Sequence, residues 1–270
     1  FFLKFRFVCT NPFSIGSYSE ELEAILINNR KKKYKSILLE PESYSANKYI
    51  YHGYRLPNSS IKSLTLSILK IHNETFNIWT HIIGLGIFLF LYFNFTFRNI
   101  DETLSIIPIC VYLLGTMVCF CGSVVMHTYY PHSEHTCNIL CKLDYSGIFT
   151  LIFTGYVCFI HYEFFCYPTL QIIYNIILSI IGIFTLFLIC NKNKIVRSIS
   201  FLFFGLSSFV PILHKKIFLK DNNEALIKKS GEVLIYILST LIVCIVGIIL
   251  YITRIPEIIH RDFFNIIFSS

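Results

Sequence analysis

Six long apolar stretches restrict the folds open to this chain more than any other feature of its sequence. They cover residues 78–97, 104–126, 145–165, 170–190, 199–213 and 233–252. About 20 apolar residues are enough to cross a hydrocarbon layer as a helix, in which the backbone polar groups find partners internally. The fifth stretch is short and contains Pro211 near its end, which predicts a kink or an end there. The sequence therefore predicts an all-α, polytopic membrane helix bundle with six spans.

Composition supports a multi-pass integral membrane protein and argues against other classes. The chain is 54% hydrophobic and 14% charged, which is more apolar surface than a soluble core of 270 residues can hide. Its net charge of +7 would suit a nucleic-acid partner, but the basic residues lie between apolar stretches, as membrane-flanking anchors do. We therefore expect membrane lipids as partners and no nucleic acid. The ten cysteines are scattered, mostly inside apolar runs, and predict no disulfide framework.

The sequence divides into three regions. Residues 1–60 are polar and predict a cytosolic N-terminal extension, whereas residues 77–270 hold the apolar stretches of the bundle. Between them, residues 61–76 predict an interfacial helix, because four apolar residues recur there at helical spacing. These residues are Ile61, Leu64, Ile68 and Ile71. Basic residues near the span ends are more numerous on the N-terminal side and favour a cytosolic N-terminus, although the lysine-rich loop after the fifth stretch argues against it.

Three polar residues near the second and third stretches are candidates for chemistry. Ser123 and His127 are four residues apart and share one helix face at the end of the second span, and Asp144 directly precedes the third. Two antiparallel spans joined by a loop meet at one membrane surface, so His127 and Asp144 can approach each other. Neutral imidazole is a common zinc ligand, and a nearby carboxylate can bind metal, orient water or take a proton. His127 is therefore a candidate metal ligand, and Asp144 and Ser123 are candidate catalytic residues.

Simpler interpretations of these residues remain open on the sequence alone. His127 also fits a water-exposed histidine at the membrane interface, and one histidine is never a metal site. Asp144 also fits the N-cap of the third span, and Ser123 fits a hydroxyl that bonds to its own helix backbone. His81, inside the first span, is either a functional group or a helix–helix hydrogen-bonding group.

A second set of metal-binding residue types occupies the predicted loop between the second and third spans. These are His132, His135, Cys137 and Cys141. Their spacing matches no zinc-finger or ribbon pattern, and no second ligand pair follows. We interpret them as ordinary residues of that loop.

Several motifs, taken together and in order, resemble the adiponectin receptor branch of the progestin and adipoQ receptor family, which is haemolysin III related. Gly53-Tyr-Arg-Leu-Pro57 and Ile71-His-Asn-Glu-Thr-Phe-Asn-Ile-Trp-Thr-His81 stand before and at the first span. Ser123-x-x-x-His127-Thr, Tyr130-Pro-His132-Ser-Glu134 and Lys142-Leu-Asp144-Tyr-Ser-Gly147 follow. Gly205-Leu-Ser207, Pro211, His214 and Arg254-Ile-Pro256-Glu257 complete the series.

The resemblance implies a seven-helix bundle with a cytosolic N-terminus, opposite in orientation to G-protein-coupled receptors. It also implies a zinc ion near the cytosolic helix ends, held by His127 and by two histidines of an H-x-x-x-H motif in a seventh span. Asp144 would reach the metal through water. The chain stops at Ser270, about where that span should begin. We interpret the sequence as truncated there, so those two histidines are absent from it.

The resulting hypothesis is a zinc-dependent lipid amide hydrolase of the ceramidase type, linked to signalling. Asp144 would act as general base or water-positioner, and Ser123 as a hydrogen-bond partner of the substrate carbonyl. The alternative is a non-enzymatic receptor for a steroid, lipid or protein ligand, in which zinc is structural. A channel, transporter or haemolysin III-like lytic protein is disfavoured by the small number of charges inside the spans.

Overall fold

The computed structural model describes residues 53–98, 103–191, 193–218 and 224–253, and the regular elements in these ranges are helical. A short 3₁₀ turn, Tyr130–His132, joins α3 to α4. The α-helices are α1 (Ile61–Ser67), α2 (Thr75–Arg98), α3 (Thr103–Tyr129), α4 (Glu134–Glu163), α5 (Pro168–Ile189), α6 (Lys194–Leu206), α7 (Phe209–Phe218) and α8 (Glu224–Thr253). The predicted N-terminal extension up to residue 52 and the motif at 254–257 lie outside the described residues.

The described helices confirm the predicted polytopic membrane bundle. Five segments are long and apolar enough to cross a membrane. They are Thr75–Arg98, Ile106–His132, Glu134–Glu163, Pro168–Ile189 and Ile195–Phe218. They overlap the first five predicted spans, and the last of them combines α6 with α7. The sixth predicted span falls in α8, where the described apolar part is Leu238–Leu250.

Helices α3 and α4 form the closest-packed pair of the bundle, and α2 covers another side of α3. Gly147 of α4 allows this close packing, because a Cβ added there would lie only 2.9 Å from the Cα of Cys119 on α3. Small residues at such crossings let membrane helices approach closely. The close crossing brings the C-terminal half of α3 against the part of α4 that carries Asp144.

Helix α4 begins ten residues before Asp144, and the prediction that its first turns form a loop is wrong. Ser133 is the N-cap, and its hydroxyl accepts a hydrogen bond from the backbone N–H of Thr136 at 3.1 Å. This cap starts a helix through a polar segment that an apolar-window argument cannot recognise. The N-cap interpretation of Asp144 is therefore also wrong, since about 15 Å of helix precedes this residue.

The fifth predicted span is broken between α6 and α7, close to where Pro211 predicts a kink. Proline cannot donate a backbone hydrogen bond, and its ring clashes with the carbonyl four residues earlier, here that of Ser207. The Tyr156 hydroxyl of α4 donates to the carbonyls of Phe204 and Gly205, the latter at 2.6 Å. The hydroxyls of Ser207 and Ser208 donate to the same two carbonyls, at 2.6 and 2.9 Å. Tyr156 is thus one of several donors at the break, and the one that joins α4 to this kinked helix pair.

Candidate metal and catalytic site

The three predicted site residues meet at the end of the bundle where α3 finishes and α2 and α4 begin. Ser123 and His127 lie one turn apart on α3, and Asp144 lies opposite them on α4. All three residues are buried, with relative exposures of 4%, 0% and 4%. The Ser123 hydroxyl and the His127 imidazole both lie close enough to the Asp144 carboxylate to stabilise its negative charge. The expected approach of His127 and Asp144 is therefore found, and the interpretation of His127 as a water-exposed histidine is wrong.

Glu74 is a member of this site to which sequence reasoning gave no role. It is fully buried just before α2, and its Oε2 lies 2.9 Å from Nδ1 of His127. The side-chain amide of Asn77 donates to the same oxygen at 2.6 Å, and the Tyr130 hydroxyl donates to Oε1 at 3.4 Å. The available signal was a carboxylate placed directly before an apolar span. Its partners on α3 and the following turn, His127 and Tyr130, are 53 and 56 residues away in sequence, so no local pattern could identify them.

Arg55 fastens the end of α3, which carries His127. Its guanidinium donates to the backbone carbonyls of His127 and Thr128, the latter at 2.7 Å. The same group lies 5.3 Å from the centroid of the Tyr130 ring. The last carbonyls of a helix have no partners within it, so a charged donor there fixes the position of the final turn. The segment before α1 therefore helps to hold the histidine in place.

His72 shapes the short segment that presents Glu74. Its Nε2 donates to the Ser67 carbonyl at 3.1 Å, while its Nδ1 accepts from the backbone N–H of Glu74 at 3.1 Å. Burial, together with the nearby positive charge of Arg55, lowers the pKa of His72 to about 3. His72 is thus neutral at physiological pH, which is the state that this pair of hydrogen bonds requires.

A second histidine, His81 of α2, lies beside His127. Their ring centroids are 5.8 Å apart, and the His81 ring also packs against Phe120 at 5.7 Å. Nδ1 of His81 is 2.6 Å from the carbonyl of Asn77 on the same helix. His81 thus combines a polar contact within α2 with ring packing against α3.

The donor chemistry at His127 suits zinc, although the described residues do not complete a zinc site. An imidazole whose Nδ1–H donates to a carboxylate presents its Nε2 lone pair, as zinc-binding histidines commonly do. Within the described ranges, no group of three or more histidine, cysteine, aspartate or glutamate side chains is arranged to hold a metal. A four-coordinate zinc ion at His127 would need further ligands from elsewhere in the protein.

The second set of metal-binding residue types does not gather around a common point. His132 Nδ1 lies 2.8 Å from the carbonyl of Ser59, and His135 is exposed on α4. Cys137 and Cys141 are instead buried in the core on α4. Most of this set is helical rather than in a loop, because α4 starts at Glu134.

An apolar cavity of about 450 Å³ lies deeper in the bundle, between α3, α4, α6, α7 and α8. Its lining includes Ile148, one turn beyond Asp144 on α4, together with Tyr112 and the Tyr156–Gly205 contact at the helix break. Cavities of this size with apolar walls and a few polar groups are typical of sites for small apolar ligands. The cavity starts one turn away from the cluster of Ser123, His127 and Asp144.

Comparison with known proteins gives consistent matches over most of the chain. The family model described as Haemolysin-III related matches residues 69–270. The "Adiponectin receptor protein" of Drosophila melanogaster is 30% identical over 226 residues, covering 80% of this chain and 50% of that protein. The "Progestin and adipoQ receptor-like protein 1" of Caenorhabditis elegans is 30% identical over 247 residues, covering 88% of this chain and 56% of that protein. The "Heptahelical transmembrane protein 1" of Arabidopsis thaliana is 30% identical over 244 residues, covering 83% and 70%. The chain thus spans about half the length of the two animal relatives.

Proposed function

Since the chain belongs to the haemolysin-III related family of membrane proteins, we propose that it is an adiponectin-receptor-like protein that hydrolyses lipid amides with zinc, as a ceramidase does. The observation that carries this proposal is the convergence of buried Ser123, His127 and Asp144 beside an apolar cavity. Hydrolysis of a lipid amide needs polar groups at the scissile bond and an apolar space for the acyl chain. Asp144, one of the polar groups, and Ile148, which lines the apolar cavity, are one turn apart on α4.

Each of the three residues has a specific role in this proposal. His127 would be one of the zinc ligands, with the remaining ligands supplied by histidines of a seventh span. When bound, zinc supplies Lewis acidity and lowers the pKa of water to about 7. Asp144 orients the attacking water and takes its proton, and then passes that proton to the leaving amine. The Ser123 hydroxyl, which lies beside Asp144, would turn its single proton to the substrate carbonyl oxygen and donate a hydrogen bond as negative charge develops there.

The position of the site defines how the substrate would be presented. The site lies where α2 and α4 begin, so a cytosolic N-terminus places it at the cytosolic end of the bundle. The acyl chain would extend from the amide past Ile148 into the cavity, and the amine product would leave toward the cytosol. A buried, water-poor setting strengthens the hydrogen bonds and charges that act on the amide.

The decisive experiment compares hydrolysis of a short-chain ceramide by purified full-length wild-type protein and its variants. Asp144→Asn keeps the size of the side chain and most of the zinc, and should lower fatty-acid release about 100-fold or more, because it removes proton transfer. His127→Ala should remove both zinc and activity. Glu134→Gln, in the first turn of α4, is a matched control that should leave the rate unchanged. Equal rates in wild type, Asp144→Asn and His127→Ala would reject the hydrolase function.

The alternative is a non-enzymatic receptor with structural zinc, and the printed names of the two animal relatives favour it. In a receptor, zinc would be closed by four protein ligands and would hold the helix ends in one of two arrangements. Zinc bound through His127 together with a complete lack of amide hydrolysis would support this function over the first.

A further inference from the structure

The geometry around His127 assigns a positioning role to Glu74: we infer that its carboxylate fixes the tautomer and orientation of the His127 imidazole, so that Nε2 is ready to bind zinc. This inference rests on the proposed zinc function and deepens it. The Glu74 Oε2 and His127 Nδ1 atoms are 2.9 Å apart, and both side chains are fully buried.

The surroundings of Glu74 determine which ring nitrogen carries the proton. Besides His127, three described groups donate hydrogen bonds to its two oxygens. Asn73 and Tyr130 donate to Oε1, each at 3.4 Å, and Asn77 donates to Oε2 at 2.6 Å. An ionised carboxylate only accepts hydrogen bonds, so His127 must donate from Nδ1. The neutral ring then carries its lone pair on Nε2, which is the tautomer that a metal ion needs there.

The burial of Glu74 also makes its effect on the ring strong. Hydrogen bonds to an ionised group are shorter and stronger than neutral ones, particularly where water is excluded. The Asn77 amide fixes the carboxylate from α2, while Arg55 holds the backbone of His127 from the other side. The imidazole is thereby fixed at both its ring and its backbone before any metal arrives.

The competing explanation is a purely structural buried pair, and Glu74→Gln distinguishes the two. Glutamine has nearly the same size, but its NH₂ group is a donor placed among donors. Asn77 and His127 both bind Oε2, so a glutamine oxygen at that position accepts from both, but without the negative charge that favours the Nδ1–H tautomer of His127. The opposite orientation makes Nδ1 of His127 an acceptor. In that orientation His127 carries its proton on Nε2, which blocks metal binding at that atom.

The test measures zinc affinity of purified full-length protein by competition with a fluorescent chelator at pH 7.5. Glu74→Gln should weaken zinc binding about 10- to 100-fold, the usual effect of losing a group that orients a ligand histidine. Glu163→Gln is the matched control, because Glu163 also forms a charged contact, with Lys215 at 3.1 Å at the other end of α4. The control should bind zinc as wild type does. In zinc-free protein, ¹⁵N NMR of labelled histidine should show His127 protonated at Nδ1 in wild type and shifted toward Nε2 in Glu74→Gln.

The outcomes separate this inference from the proposed function. Wild-type protein that binds no zinc would overturn both. Zinc binding that requires His127 but is unchanged in Glu74→Gln, even if the variant is less stable, would overturn the positioning role alone. If Glu74→Gln does not fold, Asn77→Ala replaces it, because that change keeps the carboxylate and removes only its 2.6 Å restraint. Asn77→Ala should weaken zinc binding by about 10-fold, the lower end of the same range, and an unchanged affinity would contradict the inference.

Discussion

Replacing Gly147 with alanine should push α3 and α4 apart at the crossing next to the candidate site. The added Cβ would lie 2.9 Å from the Cα of Cys119, 3.5 Å from its carbonyl oxygen and 3.6 Å from that of Val118. The nearest atom belongs to the backbone, so no side-chain rotation can relieve the contact. One of the two helices has to move.

The cost follows from the distance. Carbon atoms in contact prefer about 3.5–4.0 Å, so the helices must separate by roughly 0.5–1 Å. Overpacking of this kind costs about 1–3 kcal/mol. Alanine also stabilises a helix by about 0.5–1 kcal/mol relative to glycine, which partly offsets the cost. Gly86 of α2 provides the control, because a Cβ added there meets nothing within 4 Å.

The assay is SDS-induced unfolding in mixed micelles, followed by circular dichroism, for wild type, Gly147→Ala and Gly86→Ala. The helix-propensity gain is common to both variants, so the difference between their free energies of unfolding measures the steric cost. We expect Gly147→Ala to be less stable than Gly86→Ala by about 1–3 kcal/mol. Equal stabilities would show that the two helices are not in close contact at Gly147, which would refute the packing argument.

Two further predictions concern stability. His72 is neutral in the folded protein because its pKa lies at about 3, whereas the unfolded chain takes up a proton at this residue below about 6.5. The stability that His72 contributes is therefore complete above pH 6.5 and is lost as pH falls toward 3, with about 2 kcal/mol lost by pH 5. Thermal unfolding between pH 5 and 7.5 checks this: His72→Gln should show a weaker pH dependence than wild type, and an identical dependence would contradict it. Tyr156→Phe removes one donor to the carbonyls of Phe204 and Gly205, which keep the Ser207 and Ser208 hydroxyls as donors, and should cost about 0.5–1.5 kcal/mol. Tyr167→Phe, at an exposed position, should cost little. Equal unfolding midpoints for these two variants would show that the Tyr156 hydroxyl does not stabilise the helix break.

Much of the fold can be predicted from the sequence because lipid imposes a simple rule. Long apolar runs must be helices, and that rule locates the first five spans to within a few residues except at the start of α4. There the rule fails, since the turns before Asp144 are polar and only the Ser133 cap marks the true beginning. Hydropathy reports the apolar part of a helix and not the part that extends beyond the membrane.

The candidate site was only partly predictable. The i, i+4 spacing of Ser123 and His127 and the antiparallel packing of adjacent spans are local facts, and together they predict the approach to Asp144. The contact of Glu74 with His127 joins residues 53 positions apart and depends on the rotation of α2 against α3. Sequence spacing does not determine that rotation. The burial of His127 likewise involves a distant part of the chain, since the segment before α1 places Arg55 over the end of α3.

The link between Glu74 and His127 also constrains how the chain enters the membrane during synthesis. Glu74 and α2 leave the ribosome before His127 and Tyr130, which follow 53 and 56 residues later. Moving this carboxylate toward lipid before the donors from α3 are present costs several kcal/mol, so we expect α2 alone to stay nearer the interface. The arrival of α3 supplies these donors and removes the cost. We therefore expect α2 and α3 to reach their final depth together as a hairpin, and loss of His127 to slow the insertion of α2.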